Sequence, residues 1–105
     1  MADNDNAPLV LLIDAARWAR ADTASLLRFA GYRTLEAGDG RSGLRLARER
    51  QPDIVLLELV LPRLSGLEVL VRLQAAPTRL PVIVVSAYAP ARHASTGWIV
   101  SSGSA

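Results

Sequence analysis

The strongest constraint on this chain is an alternation of two patterns. Short apolar runs, "LVLLI" at 9–13, "IVLLELV" at 54–60 and "PVIVVSA" at 81–87, are separated by longer stretches of helical character. Runs this short, apolar at almost every position, predict strands covered on both faces, as in a parallel sheet. A further strand is expected at 32–37, "YRTLEA", where polar and apolar residues alternate. The stretch 16–30 is rich in alanine, leucine and arginine and reads as a helix, with Gly31 placed to cap its end. Residues 38–40, "GDG", read as a turn. Residues 41–50 and 65–76 read as the second and third helices, and Pro77 ends the third. Pro52 and Asp53 close the loop before the third apolar run. Strands alternating with helices require right-handed crossovers and a parallel sheet.

Such sheets gather their functional groups at the carboxyl ends of the strands, near the point where strand order reverses. Three polar residues fall there: Asp14 after the first strand, Glu58 on the third and Ser86 after the fourth. Pro62 and Gly66 fit the loop that leads from Glu58 into the third helix. Beyond Ala89 the pattern thins. Pro90 could open a short helix to about Thr96, and "WIV" at 98–100 could form a stub of strand.

Composition excludes several other classes. The chain has 105 residues, enough for one small domain, and no cysteine, so it has no disulfide framework and no thiolate metal site. No apolar run approaches the ~20 residues of a membrane span. The polar start "MADNDNAP" lacks the charged and apolar regions of a signal peptide. These features fit a cytoplasmic protein that acts without a membrane. All 12 basic residues are arginine, and none is lysine. The arginines are scattered without interleaved aromatics, which reads as solvated helix faces and argues against nucleic-acid binding. His93 has no partner in the sequence and reads as exposed. Trp18, early in the first helix, could pack or form a contact.

Taken in order, these residues resemble the receiver domain of bacterial response regulators, from about Pro8 to Ala89. "LVLLIDAARWAR" is similar to its first strand and acidic turn. "AGYRTLEAGDGRSGLRLARERQPDIVLLELVLPRLSGLEVL" is similar to its central stretch, and "PVIVVSAYA" to its fourth strand. The resemblance implies a flavodoxin-like, doubly wound parallel α/β sheet of order 2-1-3-4(-5). It also implies an aspartate phosphoacceptor at the end of strand three. Mg²⁺ would be held there by hard oxygen ligands, and metal and cation together would neutralise the transferred phosphoryl group.

The chain departs from that pattern where the chemistry lies. Glu58 stands at the phosphoacceptor position. Asp14 remains from an acidic pair whose second member is Ala15. Ser86 keeps the switch hydroxyl. If "GWIVSS" matches the fifth strand, Trp98 takes the switch-aromatic position and Ser101 the position of the lost lysine. Three readings of Glu58 stay open: a phosphomimic, a relic that completes an acidic pocket, or a working acceptor. Asp14 and Glu58 could keep a weak Mg²⁺ site, and no cofactor is certain.

The expected domain spans 8–105, with 1–7 as a lead-in and 90–105 as an atypical tail replacing helix four, strand five and helix five. The missing last helix would leave part of one sheet face open, and a homodimer, possibly swapped, is expected to cover it. The expected function is that of a non-phosphorylatable pseudo-receiver acting by protein contact, with a histidine kinase or another signalling protein as possible partner. The alternatives are weak Mg²⁺-dependent phosphoacceptor activity and a non-functional truncated fragment.

Overall fold

In the computed structural model, residues 6–75 and 80–85 are described in full, and residues 98–101 as backbone. The chain forms β1 (Leu9–Ile13), α1 (Arg17–Phe29), β2 (Arg33–Ala37), α2 (Gly40–Arg50), β3 (Ile54–Glu58), α3 (Gly66–Gln74), β4 (Val82–Val85) and β5 (Trp98–Ser101). The sheet has the order β2-β1-β3-β4-β5. The first four strands are parallel, as the alternation predicts: Leu12 stands level with Glu36 and Leu56, and Glu58 with Val85.

The fifth strand differs from expectation. It pairs antiparallel to β4, with Trp98 opposite Val85 and Ser101 opposite Val82. A parallel neighbour needs a crossover of a dozen or more residues, usually a helix. The interval 86–97 sits at that lower limit, whereas an antiparallel neighbour needs only a turn.

Among the strands whose burial is described, β1 alone is buried at every position, because helices cover both of its faces. Leu11, Ile13, Val55, Leu57, Val82 and Val84 form a core with Val69 and Leu73 of α3. Val10 and Leu12 pack on the other face against Ala24 of α1. Burial then separates the two faces of β3 and β4. Val55, Leu57, Val82 and Val84 are fully buried, while Ile54, Leu56, Ile83 and Val85 are half-buried. The α2–α3 side of these strands is fully covered, and the half-buried residues lie on a face expected to stand partly open.

Local chemistry fixes the element ends. Gly31 adopts φ 101° just past α1, a conformation open to glycine at little cost. The predicted "GDG" turn contains a helix cap, with Asp39 Oδ1 accepting from the Ser42 N–H at 2.8 Å. Ser65 caps α3 in the same way, accepting from the Glu68 N–H at 3.2 Å. Asp53 does more than close a loop. Its carboxylate accepts from the Leu9 N–H at 2.7 Å, tying the start of β1 to the approach to β3.

Candidate functional site

The site forms where the parallel strands end. Asp14 follows β1 directly. Its N–H donates to the Ala37 carbonyl at 3.0 Å, which fixes the end of β1 against β2. Its side-chain Oδ1 accepts from the Ala16 N–H at 2.9 Å, a local turn that leads into α1. Glu58 is the last residue of β3, and its Oε1 accepts from the Val60 N–H at 3.3 Å. Each carboxylate is therefore folded back on its own loop through one oxygen.

The loop after Glu58 is held closely. The Gly66 N–H donates to the Leu59 carbonyl at 2.9 Å. A Cβ on Gly66 would collide with the Glu58 carbonyl oxygen and the Leu59 backbone. Only glycine lets α3 begin this close to the end of β3, which is the physical role of a residue the sequence marks only as part of a loop. Pro62 is exposed in that loop, and Arg63 beside it has φ 65°, a left-handed conformation uncommon for a residue with a side chain. Arg63 also lies near Asp39. The Asp39 carboxyl is held below its ordinary pKa, first by the Ser42 N–H, with smaller contributions from the Ser42 hydroxyl and the Arg63 charge.

Asp14 and Glu58 line one cavity of about 80 Å³. Its floor is apolar, made by Leu12, Leu56 and Val85 with Thr23 of α1, and Arg20 joins the two carboxylates on its rim. Arg20 is the residue that sequence reasoning missed. Far from being a solvated arginine, its side chain is only 16% exposed. Its Nη1 donates to the Asp14 carbonyl at 2.6 Å, and its Nε donates to Glu36 Oε1 at 3.1 Å. The available signal was positional. Arg20 lies one helical turn after Arg17, on the same face as buried Ala24, and a strand-end acid precedes the helix. Glu36 shares the Arg20 charge, so the site holds three carboxylates, Asp14, Glu36 and Glu58, against one guanidinium.

The remaining expected site residues separate. Ser86 and His93 lie outside the described residues. Trp98 pairs with Val85, which in turn pairs with Glu58, so its backbone reaches the level of the site. Ser101 pairs with Val82 at the amino end of β4. That corrects its expected place beside the carboxylates: reversing β5 moves its last residue to the opposite end of the sheet. Ala15 is exposed and supplies no acid. Among the described residues no group of three or more His, Cys, Asp or Glu could hold a metal ion. Asp14 and Glu58 each keep one oxygen for a metal, but they supply one acid fewer than the resemblance implies and share the cavity with the Arg20 guanidinium, which makes a weaker Mg²⁺ site.

A sequence profile of the response regulator receiver domain matches residues 10–100. The chain belongs to that family. It is 37% identical over 84 residues to the probable transcriptional regulatory protein TcrX of Mycobacterium tuberculosis, covering 79% of this chain and 36% of the relative. It is 36% identical over 86 residues to the virulence factors putative positive transcription regulator BvgA of Bordetella pertussis, covering 81% of this chain and 41% of the relative. The receiver therefore spans less than half the length of either. Among solved structures it resembles response regulator protein TrrA of Thermotoga maritima in complex with Mg²⁺–BeF, with TM-score 0.75 and 26% identity over 78% of this chain and 71% of that one. The N-terminal domain of an uncharacterized protein from Wolinella succinogenes gives TM-score 0.74 and 30% identity, over 82% and 69% of the two chains. Among the described residues of this receiver, no helix is long and apolar enough to cross a membrane.

Proposed function

We infer that this receiver is a pseudo-receiver: it takes up no phosphoryl group on Glu58 and acts in two-component signalling by protein contact, as a module and not as an enzyme. One observation carries the reading. Glu58, at the acceptor position, bonds back to the Val60 N–H at 3.3 Å on a rim whose cation, Arg20, is already engaged with Glu36 and the Asp14 carbonyl. An acceptor carboxylate needs metal and cation aimed at the incoming phosphoryl group. Here Ala15 replaces one expected acid, and the chain has no lysine.

Self-association is part of the same reading. Trp18, Leu26 and Phe29 are 85%, 70% and 94% exposed on the outer face of α1. An antiparallel pair of such helices sets Trp18 against the second copy's Phe29 and Asp22 against its Ser25, apolar at the ends and polar at the centre. The partner outside the homodimer is a kinase or another signalling protein.

Amide chemical shifts recorded with Mg²⁺ and acetyl phosphate test the reading. The expected spectrum shows no concerted change from Glu58 through Gly66 to β4. A concerted change in those amides would favour the alternative, a receiver with weak Mg²⁺-dependent acceptor activity.

A further inference from the structure

On the α1 side of the sheet, cover stops partway across. α1 packs on β1 and β2. Beside it, Ile54, Leu56, Ile83 and Val85 form a half-buried apolar strip over β3 and β4. The strip leads into the cavity whose rim carries Asp14 and Glu58. Ile54 to Glu58 spans four strand steps, about 13 Å at ~3.3 Å each. That length matches about nine residues of helix. At the head of the strip, each carboxylate has bonded one oxygen to a loop amide, Asp14 Oδ1 to Ala16 and Glu58 Oε1 to Val60. Their second oxygens have no hydrogen bond among the described residues. Arg20 answers only part of this charge, because Glu36 shares it in an ion pair, so three carboxylates stand against one guanidinium. An apolar trough whose end carries more carboxylates than cations selects its occupant by charge.

We propose that this trough binds an amphipathic helix of a partner protein whose first turn carries an arginine or lysine. The apolar face of the helix lies on Ile54, Leu56, Ile83 and Val85. Its cationic side chain runs its alkyl stem over Leu12 and Leu56 and sets its head between Asp14 and Glu58. The partial positive charge of the helix amino end points the same way, which fixes the direction of docking. The proposal rests on the binding-only reading and names its partner chemistry.

A second copy fits this trough less well. The apolar helix faces it could offer among the described residues are those of α1 and α3, and each carries an acid, Asp22 between Trp18 and Leu26 and Glu68 beside Leu67, so docking would bring a further carboxylate toward the rim. A small anion is disfavoured by the same two acids.

The test uses the full chain and two synthetic helical peptides of about 12 residues. Both carry leucines at i, i+3, i+4 and i+7. One has arginine in its first turn, and the other has glutamate there. The expected result is saturable binding of the arginine peptide, with methyl shifts centred on Leu56, Ile83 and Val85. Exchange to glutamate weakens binding about tenfold or more, as does Glu58→Gln or Asp14→Asn. Added salt weakens it too. Equal affinity for both peptides would overturn the proposal, as would shifts centred away from the trough. So would no binding, or a trough already filled by a second copy in solution. Phosphoryl uptake on Glu58 would overturn the binding-only reading alone, since the peptide comparison needs no phosphoryl donor.

Discussion

Arg20 gives the sharpest test of how the site is held. Replacing it with methionine keeps an unbranched apolar stem and removes only the guanidinium. Two interactions are lost. The 2.6 Å bond to the Asp14 carbonyl is partly buried and charge-assisted, a class worth about 1.5–3 kcal/mol. The ion pair with Glu36 is different, because the Glu36 side chain is 36% exposed. Solvent screening limits such a pair to about 0.5 kcal/mol. Arg20→Met should therefore cost about 2–3 kcal/mol, nearly all from the carbonyl bond. At roughly 4–8 °C per kcal/mol for a domain of this size, the midpoint of thermal unfolding falls by ~10–20 °C. Glu36→Gln removes the ion pair alone and should cost no more than about 0.5 kcal/mol. Urea denaturation followed by circular dichroism measures both, and an unchanged slope shows that only stability moved. If Arg20→Met lies within about 0.5 kcal/mol of wild type, the range of ordinary surface substitutions, Arg20 is a solvated arginine and the clamp does not exist.

Other substitutions test neighbouring parts of the account. Gly66→Ala drives a Cβ into the Glu58–Leu59 backbone, and thermal unfolding should show a loss of about 2–3 kcal/mol. Asp39→Ala should cost about 1 kcal/mol by urea titration, while Asp39→Asn keeps the cap. Because Asp39's folded pKa lies below its unfolded value, its charge stabilises above the unfolded pKa, near ~3.9, and that contribution fades as pH falls through the folded value. The stability gap between wild type and Asp39→Asn should accordingly narrow as the pH drops below about 4. Phe29→Ser, at a site 94% exposed, should leave thermal stability within about 0.5 kcal/mol and lower the mass seen by light scattering toward that of a monomer. A mass unchanged by that substitution would reject α1 as the homodimer surface.

Much of the parallel core was legible because burial dictates side-chain type over several residues at once. "LVLLI" and "VIVV" could be little other than inner strands, and Gly31 marked the end of a helix by its conformational freedom. Asp14 and Glu58 were legible as neighbours because a parallel sheet brings its strand ends together. Arg20 was not, because its role depends on the Asp14 carbonyl, just past β1, and on Glu36 of β2. Asp39 was hidden in a "GDG" that reads equally as a turn, its capping bond being a matter of φ and ψ. The direction of β5 was hidden for another reason. Three apolar residues pack alike in either orientation, and the connection that decides between them carries no periodic pattern.

The central claim is that Glu58 accepts no phosphoryl group. Intact-mass measurement of the full chain after incubation with acetyl phosphate and Mg²⁺ tests it most directly, with Glu58→Gln beside it as a control. The account predicts one unmodified mass for each protein. A gain of one phosphoryl group in the wild type, absent from Glu58→Gln and mapped by peptide fragmentation to Glu58, would contradict it.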